Sequence, residues 1–228
     1  MSTRSRTHIG VFVQVPLPDH VSIPAVRKRV DPSKDVDCFH PLTLGGLVTG
    51  QPRFVPATPA AVCEILEAYD VPVAGQDVAI VGRSDVIGKP LANLLVQDSP
   101  RGNATVTVCH SHTADLGSVT RRADLVVTAA GEPGLVDGSM LSPGTVVVDV
   151  SANRRPVSEN SDSADEAGAG EGEGTGETTV VGDVEFESAR RVARAITPVP
   201  GGVGPVTLAM LVRNVVRAAE RNADEERD

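Results

Sequence analysis

The fold is decided by the stretch Val78-Ala79-Ile80-Val81-Gly82-Arg83-Ser84-Asp85-Val86-Ile87-Gly88-Lys89-Pro90. Its first four residues are apolar, which is typical of a short buried strand. Gly82 ends this run, and a helix is predicted to begin near Gly88. A strand that leads through a glycine-containing loop into a helix predicts the first part of a βαβ unit.

Three similar runs follow in the chain: Ala104-Thr105-Val106-Thr107-Val108, Leu125-Val126-Val127-Thr128 and Thr145-Val146-Val147-Val148. Helical or turn-rich segments separate them. This alternation predicts a parallel sheet covered by helices, and therefore an α/β fold. After Val180-Val181-Gly182-Asp183, the sequence predicts a helix over about residues 185–195 and a final helix over about residues 205–221.

The part of the chain before the first βα unit has a different pattern. Residues 9–15 predict a buried strand, and residues 23–30 predict a short helix. Several glycines and prolines predict a loop over residues 31–58. Pro59 at a first helical position then predicts a helix to about Tyr69, with Thr58 as its N-cap.

Composition excludes several classes of protein. The chain has 228 residues, 40% of them hydrophobic, which is enough for a buried core. A net charge of -9 argues against nucleic-acid binding, and no apolar run approaches the roughly 20 residues of a membrane span. There is no signal-peptide pattern. Three cysteines without CxxC spacing suggest neither a disulfide framework nor a metal site, and they suit a cytoplasmic protein.

Residues 158–179 are rich in Gly, Glu, Ser and Asp and contain seven acidic residues but no basic one. Such a composition cannot bury enough apolar surface to offset the entropy of ordering. We therefore expect a disordered insertion within a loop, without a chemical role.

The loop after Val81 is a candidate nucleotide site. Free backbone N–H groups and the helix dipole favour a phosphate where a helix begins. The loop lacks GxGxxG spacing, however, so a simple tight turn between strand and helix explains the pattern about as well.

The end of the next predicted strand indicates which nucleotide is bound. NAD sites usually place an Asp or Glu there for the ribose, whereas this chain has Cys109-His110-Ser111-His112-Thr113. Arg83, Ser84, His110 and Ser111 offer hydrogen-bond donors suited to a 2'-phosphate, which favours NADP. The alternative is that His110 and His112 are ordinary surface-loop residues.

A second candidate is Thr197-Pro198-Val199-Pro200-Gly201-Gly202-Val203-Gly204-Pro205-Val206-Thr207, which leads into the final predicted helix. Glycines at this density let a ligand approach the main chain closely. The alternative is a simple connection between a loop and a helix. The length of the segment and its three prolines favour the ligand-binding interpretation.

Together these segments resemble the bifunctional methylenetetrahydrofolate dehydrogenase/methenyltetrahydrofolate cyclohydrolase family. The resemblance covers nearly the whole chain from residue 9 onwards. It rests on Val13-Gln14-Val15-Pro16-Leu17-Pro18, Pro32-Ser33-Lys34-Asp35-Val36-Asp37-Cys38-Phe39-His40-Pro41, Thr49-Gly50-Gln51-Pro52, Thr58-Pro59, residues 82–90, Cys109-His110-Ser111, Asp149-Val150-Ser151-Ala152-Asn153, Gly182-Asp183-Val184 and residues 198–207.

The resemblance implies NADP-dependent oxidation of methylenetetrahydrofolate to methenyltetrahydrofolate, followed by hydrolysis to formyltetrahydrofolate, in one-carbon metabolism and purine biosynthesis. It also implies two domains in a cytoplasmic homodimer. Residues 1–70 and 205–228 would form a catalytic α/β domain completed by the C-terminal helix. Residues 71–204 would form a Rossmann domain that binds NADP.

The resemblance also implies roles for individual residues. Gln14 and Asp37 are the implied catalytic residues, Gln14 by orienting a lysine and Asp37 by bonding the pterin. The implied substrate site adds Val15, Pro16, Pro200, Gly201 and Gly202. The implied cofactor site comprises Thr58, Gly82, Arg83, Ser84, His110, Ser111, Ala152 and Thr207.

The chain departs from the family at two places. The family carries a Tyr-x-x-x-Lys helix whose lysine serves the cyclohydrolase step, and the 228 residues contain no such pattern. We expect either a start codon assigned too far downstream or a short form that lacks part of its catalytic domain. Cys38 stands where the family usually has glycine, and it should be tolerated there if the backbone has a negative φ.

The missing lysine leaves alternative functions open. One is a dehydrogenase without cyclohydrolase activity, because hydrolysis needs a positioned acid or base. The other is a non-catalytic protein that binds NADP or folate. The missing lysine favours this alternative, and the presence of Gln14 and Asp37 favours an enzyme.

Overall fold

The computed structural model describes residues 9–15, 17–156 and 178–225 of the chain. In these ranges the helices are α1 (Ile23–Arg27), α2 (Pro41–Val48), α3 (Ala57–Ala68), α4 (Gly88–Leu95), α5 (Leu116–Arg122), α6 (Phe186–Ala189) and α7 (Val203–Glu225). The strands are β1 (Asp77–Val81), β2 (Thr105–Cys109), β3 (Leu125–Thr128), β4 (Val146–Asp149), β5 (Asn153–Pro156), β6 (Thr178–Val181) and β7 (Ala195–Ile196). A 3-10 turn covers Gly138–Met140.

A parallel sheet forms the centre of the molecule, with the strand order β2-β1-β3-β4-β7. Strands β5 and β6 pair with each other in a separate antiparallel ribbon. The sheet contains the four apolar runs predicted from the sequence, and helices follow the first two of them directly. The α/β class with a Rossmann-type arrangement is confirmed.

Both faces of the sheet are buried because helices cover each side. Val78, Ile80 and Val127 pack on one face with residues of α3, α4 and α7. Ala79 and Val126 pack on the other face, where α5 and α6 lie. Burial of successive residues explains why these strands are continuous apolar runs rather than alternating ones.

Helix α7 also packs against the first part of the chain. Ala218 of α7 joins Val36, Cys38 and Phe54 in a third buried cluster. The buried Asn214 side chain donates hydrogen bonds to the carbonyl oxygens of Val36 (2.9 Å) and Val55 (2.8 Å). The segment from Val36 to Val55 is therefore attached to the C-terminal helix.

The strand predicted over residues 9–15 is wrong. Val11 forms an isolated parallel bridge with Asp35, through hydrogen bonds to the backbone of Lys34 and Val36. Residues 9–15 are all exposed or half-buried. A strand needs a ladder of successive pairs, and among the described residues this segment has one bridge only.

The region from residue 31 to α3 also differs from its prediction. It contains α2, which begins after His40, whose Nδ1 accepts the Leu42 N–H at 3.0 Å. Thr58 is not a cap, because α3 begins at Ala57 after Pro56 and has no side-chain N-cap of its own. Proline is tolerated anywhere in the first turn, so Pro59 did not define the helix start.

Three predictions near the C-terminus need correction. The helix predicted over residues 185–195 ends at Ala189, because Ala195 and Ile196 pair with β4 instead. Residues 158–177 of the predicted insertion lie outside the described residues, but Thr178 and Thr179 belong to β6. The final helix is longer than predicted and covers Val203–Glu225.

Cys38 has a φ of +55°, so the condition of a negative φ is not met. Its side chain is buried against Phe54, whose carbonyl oxygen accepts a hydrogen bond from Sγ at 2.8 Å. A non-glycine residue in this left-handed region costs about 1 kcal/mol or more. Packing and this hydrogen bond offset the cost.

Candidate functional site

The carboxyl ends of four strands meet at one edge of the sheet. Val81 pairs with Cys109 on one side and with Thr128 on the other, and Thr128 pairs with Asp149. The chain passes from β1 to β2 and then returns to place β3 on the opposite side of β1. In open α/β sheets such a switch point is where ligands bind.

Gly82 leaves β1 in a conformation that suits only glycine, with a φ of +136°. A Cβ atom added there would lie 2.3 Å from the carbonyl oxygen of Ala129. Gly88, the first residue of α4, returns so close that an added Cβ would lie 2.1 Å from the Gly82 carbonyl oxygen. The two glycines therefore allow a tight loop that lies against the residues after β3.

Ser84 organises the loop between β1 and α4. Its Oγ accepts hydrogen bonds from the N–H groups of Ile87 (3.1 Å) and Gly88 (3.4 Å). Because these bonds use the lone pairs of Oγ, the hydroxyl hydrogen can be donated to a ligand. The neighbouring Arg83 is exposed and presents a guanidinium group at the same place.

A cavity of about 540 Å³ opens beside this loop. It brings together the sequence-predicted residues Gly82, Arg83, Ser84, His110 and Ser111. Its remaining lining residues are Val81, Thr113, Leu116, Ala129, Ala130, Glu132 and Leu135. One wall therefore carries a cation and hydroxyl groups, while Leu116 and Leu135 supply apolar surface.

His110 and His112 have different positions. His110 is half-buried in the cavity wall, and its Nδ1 accepts the backbone N–H of His112 at 3.1 Å. In the neutral ring this bond leaves the hydrogen on Nε2, which can donate to a ligand. His112 is exposed and is not among the lining residues, so the surface-loop interpretation applies to His112 alone.

The loop is also joined to α1 by an ion pair. The Arg27 guanidinium lies 2.7 Å from Asp85 and stacks over the Phe39 ring at 5.0 Å. Lys89 lies 2.6 Å from the other oxygen of Asp85. The hydrogen bonds from Lys89 and Arg27 lower the pKa of the Asp85 carboxyl.

Two acidic residues near the cavity were missed by sequence reasoning. Glu132 lines the cavity from the loop after β3. Asp183 is fully buried behind that loop and accepts hydrogen bonds from its backbone. Asp183 belongs to the Gly182-Asp183-Val184 motif, but no spacing rule connects that motif to a loop some 50 residues earlier.

Asp37 lies beside the start of α3. Its Oδ1 accepts the N–H of Ala57 at 2.6 Å, so it supplies the N-terminal contact that was assigned to Thr58. Burial, and secondarily the nearby charge of Asp35, raise the pKa of the Asp37 carboxyl to about 6. An acid with this pKa is mostly ionised at neutral pH and protonates readily just below it.

Gln14 and Val15 lie on the irregular segment that bridges to Asp35. The bridge is parallel, so Gln14 and Asp37 both lie beyond its carboxyl side. Gln14 is exposed, and its side-chain amide donates to the Val15 carbonyl oxygen at 3.0 Å. Pro16, the other residue predicted here, lies outside the described residues.

The remaining predicted residues do not line the Arg83 cavity. Gly201 and Gly202 line a separate, mainly apolar cavity of about 360 Å³ between α3, β7 and α7. Pro200 precedes them and is exposed. Thr58 and Thr207 are half-buried within α3 and α7, and Ala152 is exposed between β4 and β5.

The described part of the chain contains neither a candidate metal centre nor a membrane-spanning helix. No group of three or more His, Cys, Asp or Glu side chains there could hold a metal ion. Likewise, no helix in the described ranges combines the length and apolar character needed to cross a membrane.

Comparison with known sequences identifies close relatives. The chain is 56% identical over 215 residues to the "Bifunctional protein FolD" of Natronomonas pharaonis. The aligned residues cover 94% of this chain and 67% of that protein. It is 51% identical over 209 residues to the protein of the same name from Haloquadratum walsbyi, covering 92% of this chain and 62% of that protein. The chain thus spans about two thirds of the length of these curated relatives.

Solved structures agree with this result. A 5,10-methylenetetrahydrofolate dehydrogenase from the silkworm, Bombyx mori, superimposes with a TM-score of 0.83 at 35% identity, covering 97% of this chain and 71% of that one. The Trypanosoma brucei N5,N10-methylenetetrahydrofolate dehydrogenase-cyclohydrolase, solved with NADP cofactor and inhibitor, gives 0.82 at 39% identity, with coverages of 97% and 70%.

Residues 56–223 match the family model described as "Tetrahydrofolate dehydrogenase/cyclohydrolase, NAD(P)-binding domain". This match includes the whole parallel sheet, the Arg83 cavity and most of α7. The chain belongs to the tetrahydrofolate dehydrogenase/cyclohydrolase family.

Proposed function

We propose that the protein catalyses NADP-dependent oxidation of methylenetetrahydrofolate to methenyltetrahydrofolate and the hydrolysis of this product to formyltetrahydrofolate. The observation that carries the proposal is the single cavity at the switch point of the sheet, which joins Arg83 and Ser84 to His110 and Ser111. Membership of the family supplies the reaction, and the cavity supplies a place for its dinucleotide.

The residues of the cavity fit a dinucleotide phosphate. The absence of a Cβ at Gly82 lets the Ala129 carbonyl lie against the Arg83 loop, so the two walls of the cavity meet there. Arg83 would pair with the 2'-phosphate, while Ser84, Ser111 and Nε2 of His110 would donate hydrogen bonds to it. The N-terminus of α4 adds a favourable dipole, while the N–H groups of Ile87 and Gly88 are already bonded to Ser84 Oγ. Thr58, Ala152 and Thr207 would contact other parts of the dinucleotide.

Folate would bind beside Asp37 and Gln14. The Asp37 Oδ1 atom is occupied by the Ala57 N–H, and its second oxygen would accept hydrogen bonds from the pterin ring. The Gln14 amide would orient the reacting groups, with Val15, Pro16 and the Pro200-Gly201-Gly202 turn forming the surrounding surface.

The two steps make different demands on the protein. NADP supplies the hydride acceptor in the first step, so the chain contributes mainly binding and orientation. Hydrolysis also needs a group that moves a proton to or from the attacking water. Since the 228 residues contain no Tyr-x-x-x-Lys, dehydrogenase activity alone is the second candidate function for this polypeptide.

One experiment tests both candidates. The 228-residue protein is supplied with methylenetetrahydrofolate and NADP, and reduced nicotinamide is followed by its absorbance. In a second assay, loss of methenyltetrahydrofolate is compared with the uncatalysed rate. Activity in both assays supports the full proposal, and activity in the first alone supports the dehydrogenase. Absence of both from a folded protein that binds NADPH would favour a non-catalytic binding role.

We also propose the division into a catalytic unit (residues 1–70 and 205–228) and an NADP-binding unit (residues 71–204). The packing of Asn214 and Ala218 of α7 against residues 36–55 supports this division. A homodimer in the cytoplasm is proposed from the family. The three cysteines, which are all free and buried, are compatible with a reducing compartment.

A further inference from the structure

We propose that Asp183 is a positioning residue, whose buried carboxylate fixes the loop after β3 in the shape that forms one wall of the Arg83 cavity. The proposal rests on the dinucleotide function proposed above. Asp183 lies between β6 and α6, far along the chain from this loop, and it is fully buried.

Three consecutive backbone N–H groups point at the Asp183 carboxylate. Oδ2 accepts those of Ala130 (2.6 Å) and Gly131 (3.0 Å). Oδ1 accepts that of Glu132 (2.8 Å). Successive N–H groups that converge in this way form a nest that attracts an anion, and here the chain supplies its own anion.

Two side chains from the region after β4 complete the arrangement. Ser151 Oγ donates to Oδ2 at 2.6 Å, and Asn153 Nδ2 donates to Oδ1 at 2.9 Å. Both oxygens therefore have more than one donor. This satisfies a buried charge and allows one orientation of the carboxylate, so the loop it holds is also restricted to one conformation.

The held loop forms the part of the cavity wall that adjoins Gly82. Ala129, Ala130 and Glu132 line the cavity, and the Ala129 carbonyl fits against the bare face of Gly82. Because the loop N–H groups are turned onto Asp183, they are unavailable to a ligand phosphate. Phosphate recognition is thereby left to the Gly82–Ser84 side, and the width of the cavity depends on the Asp183 contacts.

The test compares Asp183→Asn with Asp35→Asn. Asp35 is a matched control because it is also fully buried and accepts the N–H groups of Phe39 (2.9 Å) and His40 (2.7 Å), away from the cavity. In each variant an NH2 group replaces one acceptor oxygen. NADPH affinity is measured by fluorescence titration, and stability by urea unfolding.

We expect Asp183→Asn to bind NADPH at least about tenfold more weakly, and Asp35→Asn to stay within about threefold of wild type while also losing stability. Unchanged affinity in Asp183→Asn, or an equal loss in both variants, would overturn the positioning role. Wild-type protein that binds no NADPH would instead contradict the proposed function itself.

A measurement on the wild-type protein covers the case in which Asp183→Asn does not fold. Hydrogen exchange at the amides of residues 130–132 should be slow without NADPH, because Asp183 already occupies them. Fast exchange at these amides in the free protein would show that the loop is not held, and the proposal would be wrong.

Discussion

Arg83 and Ser84 show how two neighbouring side chains take separate tasks at the end of β1. Ser84 faces back and accepts the N–H groups that open α4, whereas Arg83 is exposed beside His110 and Ser111. The serine thus shapes the loop, and the arginine supplies charge. A charge-assisted bond to a phosphate contributes roughly 1.5–3 kcal/mol.

Changing Arg83 to Ala should therefore weaken NADPH binding by roughly 10- to 150-fold, with little effect on NADH, which lacks the 2'-phosphate. Fluorescence titration with both nucleotides measures the difference. Arg122→Ala is the control, since Arg122 is also exposed but lies on α5 outside the cavity. Equal losses for NADPH and NADH would contradict this role of Arg83.

Asp37 makes stability depend on pH. Burial raises its pKa from the ordinary value of 3.8 to about 6, so folding favours the protonated carboxyl. This contribution is fully present below 3.8 and is lost as the pH rises through about 6. Asn cannot ionise and can still accept the Ala57 N–H.

Asp37→Asn should gain stability relative to wild type by about 1–2 kcal/mol between pH ~4 and pH ~7, a value reduced because Asp37 is partly exposed. Urea unfolding at several pH values gives the difference. The exposed Asp98→Asn is the matched control. If the wild-type and Asp37→Asn stabilities change in parallel with pH, the raised pKa is wrong.

Among the elements, α7 connects the sheet to the first part of the chain. Val203 and Val206 pack on the sheet, while Asn214 and Ala218 contact the segment that carries Asp37. The two sets lie on one helix, with about two turns between Val206 and Asn214. Its position therefore sets the distance between the proposed folate residues and the cofactor cavity.

Asn214→Ala should destabilise the protein by about 2–4 kcal/mol, because it leaves the carbonyl groups of the buried Val36 and the half-buried Val55 without their donor. Asn93→Ala is the comparison, since Asn93 bonds only to the Lys89 carbonyl one turn earlier in α4. Its cost should stay below about 0.5 kcal/mol. Similar urea midpoints for the two variants would contradict the role of Asn214 as a connection.

Sequence patterns predicted the strands that are buried on both faces and the turn that depends on the local backbone conformation of one residue. The runs of β1 to β4 could be recognised because both faces of the sheet are covered, and Gly82 because its conformation excludes other residues. The short β7 could not be recognised, since its two residues are a strand only through pairing with β4. Asp183 was missed for the same reason, because the backbone N–H groups that it accepts belong to a loop some 50 residues earlier in the chain.

At the scale of the whole molecule, much of the net negative charge lies in one segment of the sequence. Residues 158–179 hold seven of the 30 acidic residues and none of the 21 basic ones. Next to this segment in the chain is the antiparallel ribbon of β5 and β6, whose last pair is Pro156 opposite Thr178. Asn153 at the other end of this ribbon holds Asp183. In the chain, the acidic segment follows Pro156, whereas the contact with Asp183 is made at the opposite end of the ribbon.

Replacing residues 157–177 with Asn-Gly should preserve NADPH affinity within about threefold, or ~0.7 kcal/mol. Pro156 and Thr178 are already paired, and a two-residue Asn-Gly turn suits such a hairpin. A second deletion that also removes Thr178 and Thr179 should bind more weakly, since it takes away their pairs with Pro156 and Arg155 and loosens the ribbon that presents Asn153. NADPH titration of both variants gives the comparison. A large loss already in the shorter deletion would show that the acidic segment itself contributes to the cavity.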